Sequence, residues 1–123
     1  MLVLESNKVM FNNGVLQINV AYPEGKKEEL QAGERMLVDS DNLAFIYILE
    51  EEDRYIYIRI SQKWWAELKE AHEQLTPVFI NCNDFQIECR NVHAELTYLL
   101  ENIDNNSNYG DEFVTAVANT FTK

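Results

Sequence analysis

Two histidines, two cysteines and two short acidic or amide-rich clusters are the residues of this 123-residue chain whose types and spacing suggest chemistry. Cys82, Cys89 and His93 form C-x6-C-x3-H, a run of zinc-ligand types. It lacks a fourth ligand and the C-x-x-C knuckle from which closed structural zinc sites are commonly built. A Cys–His nucleophile pair needs a further group to orient the histidine, and none stands at readable spacing. His72 falls on an earlier helical segment than His93. Asp39, Asp41 and Glu50 carry the spacing of the first, third and twelfth positions of a calcium loop, but Ala44 replaces the glycine of the sixth position. The interior of that loop is an apolar run with too few oxygens, so the segment reads as a turn. Asp104, Asn106 and Asn108 form D-x-N-x-N between two helical segments, with Gly110 one residue late and Thr115 where a glutamate belongs. Helix termination and asparagine capping account for these residues, with a non-standard calcium site as the alternative. Only four glycines are present, and none forms a phosphate-binding loop. These motifs assign no catalytic residue and lead to no expected cofactor.

A different chemistry, that of recognition, is suggested by Tyr55, Tyr57 and Arg59 together with Trp64 and Trp65. Aromatic residues and arginine are enriched where proteins bind one another. The competing reading is structural: one tryptophan packs in the core and the tyrosines cover a sheet.

The net charge of −11 argues against general nucleic-acid binding, which needs a basic footprint, and against an anionic membrane surface. It provides solubility and suits a basic protein partner. No run approaches the roughly 18 apolar residues of a membrane span, and the N-terminal MLVLESNKV lacks the features of a signal peptide. A cytoplasmic protein is expected, and two thiols not joined in a disulfide suit a reducing compartment.

These residues must be positioned by a single domain, residues 1–123, of ordinary apolar content. LAFIYIL (Leu43 to Leu49) is apolar on both faces and predicts a central strand. Glu50 to Asp53 form an acidic tip, and RYIYIRI (Arg54 to Ile60) returns with isoleucines on one face and Tyr55, Tyr57 and Arg59 on the other. Lys8–Phe11 and Val15–Val20 flank Asn13-Gly14, a hairpin signal. Tyr22-Pro23-Glu24-Gly25 predicts a turn. The polar segment from Lys26 to Ala32 is expected as a helical turn or loop closed by Gly33, before an extended stretch from Glu34 to Val38. Ser61 is placed to cap a helix to about Leu75, with Trp64, Leu68, Ala71 and Leu75 inward and Trp65 offset to the edge of the core or exposed. Thr76-Pro77 ends that helix. Val78–Ile80 and Phe85–Ile87 predict a second short hairpin, which sets Cys82 opposite Phe85 and keeps Cys89 out of its reach. Asn91 opens a helix with the stripe Val92, Leu96, Leu99, Leu100 and Ile103. The last helix starts near Asp111 with Phe113, Val114, Val117 and Phe121 inward. The expected fold is α+β: a mostly antiparallel sheet of about six or seven strands built from hairpins, with one central helix and two C-terminal helices.

Two segments, MLVDSDNLAFIYILEEEDRYIYIRI and ELTYLLENIDNNSNYGDEFVTAVANTF, resemble those of the YjbL-like family of small uncharacterised proteins of Bacillus- and Staphylococcus-type bacteria. The distinguishing marks are Met36 to Asn42 and Asn108-Tyr109-Gly110 followed by Glu112-Phe113. The resemblance implies a cytosolic bacterial protein and transfers no activity or catalytic residue. The functional expectation is an acidic module that binds an unknown protein partner or forms a homodimer. A small-ligand or metal-binding regulatory domain is the alternative from a different class.

Overall fold

A computed structural model describes residues 2–22, 30–52, 54–83 and 85–122. Pro23, Glu24 and Gly25 of the expected turn, Lys26 to Glu29 of the polar segment, and Asp53 and Asp84 of the two hairpin tips lie outside the described residues. The chain runs through β1 (Leu2–Glu5), β2 (Lys8–Asn12), β3 (Val15–Val20), β4 (Gln31–Asp39), β5 (Ala44–Glu51), β6 (Arg54–Ser61), α1 (Trp65–Gln74), β7 (Val78–Cys82), β8 (Phe85–Glu88), α2 (Val92–Ile103) and α3 (Asp111–Phe121).

The α+β class holds, but the described strands form two four-stranded sheets instead of one. The first sheet has the order β1-β6-β5-β4 and the second β2-β3-β7-β8. Each is mixed: β1 runs parallel to β6, and β3 parallel to β7. The hairpins expected from alternation and turn chemistry supply the antiparallel pairs. Asn13 and Gly14 both have positive φ, 53° and 82°, between the paired residues Asn12 and Val15. That is the backbone a two-residue primed turn needs. The acidic hairpin is tighter than the loop of about four residues expected, because Glu51 already pairs with Arg54 along the ladder. Their side chains also form an ion pair at 2.6 Å.

Ser6 and Asn7 carry the chain from one sheet to the other. The Ser6 N–H donates to the Arg59 carbonyl in the first sheet at 3.0 Å, and the Asn7 N–H donates to the Asn19 carbonyl in the second at 2.9 Å. Ser6 is buried, and its hydroxyl also donates to the Arg59 carbonyl, at 2.6 Å. A polar side chain at a buried corner is tolerated because it is hydrogen-bonded.

Both sheets turn an apolar face into one core, joined by the buried stripes of all three helices. Phe45 is its centre. Its ring lies 5.2 Å from that of Trp65, 5.9 Å from Phe113 and 5.8 Å from Phe121, in tilted or edge-on contacts. Such geometries suit the quadrupoles of aromatic rings. The stripes expected for α2 and α3 are the ones buried, with Leu100, Val114 and Phe121 packed at the core's margin.

The first helix departs from expectation. Gln62 to Trp64 form a 3-10 turn, and the α-helix begins at Trp65 without a side-chain cap from Ser61. Trp65, Leu68 and Ala71 are buried, Trp64 is half-buried, and Leu75 is 69% exposed. The tighter first turn rotates the helix so that Trp65, not Trp64, faces inward. At the other end Leu75 adopts a left-handed conformation, φ 54°. Leu75 N–H then donates to the His72 carbonyl and Thr76 N–H to the Ala71 carbonyl, the paired bonds of a Schellman ending. A residue that ends a helix in this way leaves its inward face. Gly33 does not close a helical turn either. It lies within β4, in a bulge between Ala32 and Met36.

Candidate functional site

The outer face of the first sheet holds most of the residues singled out for recognition. Alternation puts Tyr55, Tyr57 and Arg59 of β6 beside Ala44, Ile46 and Ile48 of β5. Val3 and Glu5 of β1 flank them on one side, and Leu37 and Asp39 of β4 on the other. Ala44, Ile46 and Ile48 are buried, yet they stand outside the common core, which takes Phe45, Tyr47 and Leu49 from the opposite face of the same strand. Neighbours in their own sheet contribute to the cover. Arg59 reaches across β5 to Asp39, with its Nη2 3.1 Å from Oδ2, while Nη1 lies 3.3 Å from Glu5 Oε1. An arginine stem laid across apolar neighbours shields them while its head stays paired. The β4 bulge shields Ile48: an added Cβ on Gly33 would stand 2.7 Å from the Ile48 carbonyl oxygen. Arg35, in the same bulge, stacks over the Tyr55 ring at 5.2 Å. Around this thin cover Val3, Leu37 and Tyr55 are 40%, 39% and 45% exposed.

The two tryptophans do not join that face. Trp65 is 1% exposed and donates its indole N–H to the Ile60 carbonyl at 3.1 Å. Trp64 donates to the Ser6 carbonyl at 3.2 Å, and Lys63 stacks on its ring. Trp65 therefore belongs to the core, and Trp64 to the corner between the sheets.

The acidic clusters serve turns. Asn42 donates to both carboxylate oxygens of Asp39 across a 3-10 turn, Ser40–Asn42, while Asp39 also holds Arg59. Glu50 lies six residues along β5 from Ala44, the partner of Asp39, which is about 20 Å at strand rise. In the second cluster Asn106 accepts from the Asn108 N–H at 3.0 Å and donates to the Asn102 carbonyl at 3.0 Å. Those bonds satisfy the end of α2 and the 3-10 turn Ser107–Tyr109. Among the described residues no three His, Cys, Asp or Glu side chains gather as a metal cluster.

Cys82 and Cys89 are buried and not disulfide-bonded. Burial pushes the Cys89 thiol well above its ordinary range, with Glu88 adding to the effect. His93 pairs with His72, a pairing the sequence did not reveal. The two Nδ1 atoms are 3.3 Å apart. His93 Nε2 lies 2.6 Å from the Thr76 carbonyl oxygen, which can only accept, so that nitrogen carries a proton. In the neutral pair His93 Nδ1 then accepts from His72 Nδ1–H. Thr97 Oγ1 lies 3.4 Å from His72 Nε2 and completes the chain as donor. The Schellman ending of α1 and Pro77 aim the Thr76 carbonyl, and the first turn of α2 presents His93. Distant segments meet here, and no local spacing signals it.

Burial, and then the neighbouring His93, hold His72 below its ordinary 6.5, while the Glu73 carboxylate opposes the shift. The folded chain thus binds less proton at His72 than the unfolded chain does. The stability from this group is complete above the ordinary value and is lost as pH falls through it. The melting temperature is expected to drop as pH is lowered from about 7.5 to about 5.5, above the range where ordinary carboxylates titrate. His72→Gln is expected to flatten that slope, and an identical slope in the variant would remove the assignment.

Of the described cavities, an open cleft of about 380 Å³ runs between the start of β4 and β8, and a smaller one of about 110 Å³ lies between α2 and α3. The smaller falls below the usual size of a ligand pocket. The cleft's lining cation, Arg90, lies 3.6 Å from Glu34. No helix of the described residues is long and apolar enough to cross a membrane.

Residues 4–121 match the model of a family of unknown function, UPF0738. The chain belongs to the UPF0738 family. It is similar to the UPF0738 protein YjbL of Bacillus subtilis (strain 168), 47% identical over 98 residues that cover 80% of each chain. UPF0738 proteins of Bacillus mycoides (strain KBAB4) and Geobacillus kaustophilus (strain HTA426) are 48% and 50% identical over 94 and 86 residues. These alignments cover 76% of both chains for the first, and 70% of this chain and 69% of the relative for the second. The resemblance carried by Met36 to Asn42 and by the C-terminal segment thus identified the family. No solved structure matches the chain.

Proposed function

We propose that this UPF0738 protein is a cytoplasmic protein-binding module whose working surface is the outer face of the first sheet. The observation that carries the reading is a central strand whose outward isoleucines, Ile46 and Ile48, lie outside the common core, with Arg59 and the β4 bulge laid over them, beside exposed Val3, Leu37 and Tyr55. Helix stripes on the described residues join the opposite face. An apolar, aromatic centre rimmed by paired charges is the usual anatomy of a recognition surface. The occupant that fits is a basic partner protein, because two copies of a chain of net charge −11 repel each other.

The test compares the wild type with a Leu37→Glu/Tyr55→Glu variant. Both positions are well exposed, so the variant is expected to melt close to the wild type. A partner captured from native cytosol by the wild type, and lost with the variant but not with Met10→Glu on the second sheet, supports the reading. Equal capture by all three, or no capture by any, overturns it. Sedimentation of the same proteins separates a hetero-partner from self-association, which would shift the wild type alone to the dimer mass.

A further inference from the structure

We propose that His72 and His93 bind one divalent transition cation of the zinc, nickel or copper class through their two Nδ1 atoms. The nitrogens are 3.3 Å apart and the ring centroids 5.4 Å apart. Two imidazole nitrogens on a tetrahedral zinc, each at roughly 2.0–2.1 Å, stand about 3.4 Å from one another. The pair is therefore already spaced as one edge of such a tetrahedron.

The outer sides of the rings are arranged as ligating histidines require. His93 gives its Nε2 proton to the Thr76 carbonyl, which leaves Nδ1 a bare lone pair directed at His72. Thr97 Oγ1 stands at His72 Nε2, and a hydroxyl accepts as readily as it donates. When the His72 proton sits on Nε2, both Nδ1 lone pairs converge. Bare lone pairs at that separation repel, so an electrophile belongs between them. In the metal-free chain it is the proton of His72 Nδ1–H; in the loaded chain it is the metal ion, the His72 proton having moved to Nε2 so that the imidazole stays neutral.

Three elements preset the geometry: the closed end of α1, the Thr76-Pro77 link and the first turn of α2. Both rings are half-buried and Thr97 is exposed, so the remaining coordination positions open to water. Glu73, beside His72 and 3.9 Å from Lys69, lends a favourable negative field. Imidazole donors select zinc, nickel and copper over magnesium and calcium, which prefer oxygen. The buried Cys82 and Cys89 take no part.

The full chain, without an affinity tag and stripped with a chelator, is titrated with zinc chloride, with magnesium chloride as control. Calorimetry and imidazole nitrogen NMR follow the binding. The expected result is a saturable one-to-one isotherm, shifts of the Nδ1 resonances of both histidines and a raised melting temperature, none of them with magnesium. His72→Gln and His93→Gln are each expected to weaken zinc binding by at least about tenfold. No saturable binding up to millimolar zinc, undiminished affinity in folded histidine variants, or zinc shifts confined to other residues would overturn the proposal. If a variant does not fold, the resonance shifts of the unaltered chain decide.

Discussion

Replacing Trp65 by alanine is expected to remove a large share of the stability of the protein. The side chain is 1% exposed and touches Phe45, Phe113 and Phe121, with ring centroids 5.2, 5.8 and 5.9 Å away. It links the first sheet to α3 through a single ring. Alanine leaves a cavity among rigid rings that cannot close it, and it strands the Ile60 carbonyl that accepts the indole proton. Tryptophan-to-alanine changes in cores cost about 3–5 kcal/mol, against a total of roughly 5–15 kcal/mol for a domain. The midpoint of thermal unfolding, followed by circular dichroism because a fluorophore is lost, should fall by more than about 10 °C. A fall of only a few degrees would mean that the aromatic cluster is not the keystone of the core.

Gly33→Ala is expected to produce the second-largest loss, from a position whose side chain is a single hydrogen. The new Cβ would meet the Ile48 carbonyl oxygen at 2.7 Å, the Ile48 Cγ2 at 3.1 Å and the Ile48 carbonyl carbon at 3.3 Å. Ile48 cannot yield, since β5 is hydrogen-bonded on both sides, to β4 and to β6. The bulge must lift instead. Overpacking of this kind costs about 1–3 kcal/mol, or roughly 3–15 °C in melting temperature for a domain of this size. The lift also draws Arg35 off Tyr55 and uncovers Ile48, so the effect reaches the proposed binding face. A melting temperature within a degree of the wild type would show that the bulge moves freely and has no part in shaping that face.

The bulge and α1 show where reading the chain locally stops. Gly33 looks like the end of a helical turn, because glycine after a polar stretch often is; its real task is close approach to a neighbouring strand. Trp64 and Trp65 are adjacent, and helical spacing favoured Trp64 as the inward residue. Three residues of 3-10 helix before α1 turned the helix enough to exchange them. By contrast Asn13-Gly14, the isoleucines of β6 and the stripes of α2 and α3 were legible, since each depends on neighbours within one or two turns of the chain.

The recognition residues were partly legible for the same reason. Alternation alone put Tyr55, Tyr57 and Arg59 on one face of β6, opposite its isoleucines. That Arg59 crosses β5 to reach Asp39, and that Val3 and Leu37 extend the face, depended on which strands became neighbours. The histidine pair was not legible at all. His72 and His93 are separated by a helix end and a complete hairpin, and their meeting is a property of how those elements dock.

By itself, then, the sequence determined the α+β class, the hairpins, two of the three helical stripes and the family, because periodicity, turn chemistry and short motifs are local. Only the tertiary structure decided that the strands divide into two mixed sheets around a corner at Ser6. It also decided that β1 and β3 find parallel partners, that Trp65 is core and not surface, and that two histidines face each other. Parallel pairing and side-chain convergence join residues far apart in the chain, and their energy lies in contacts that no local pattern encodes.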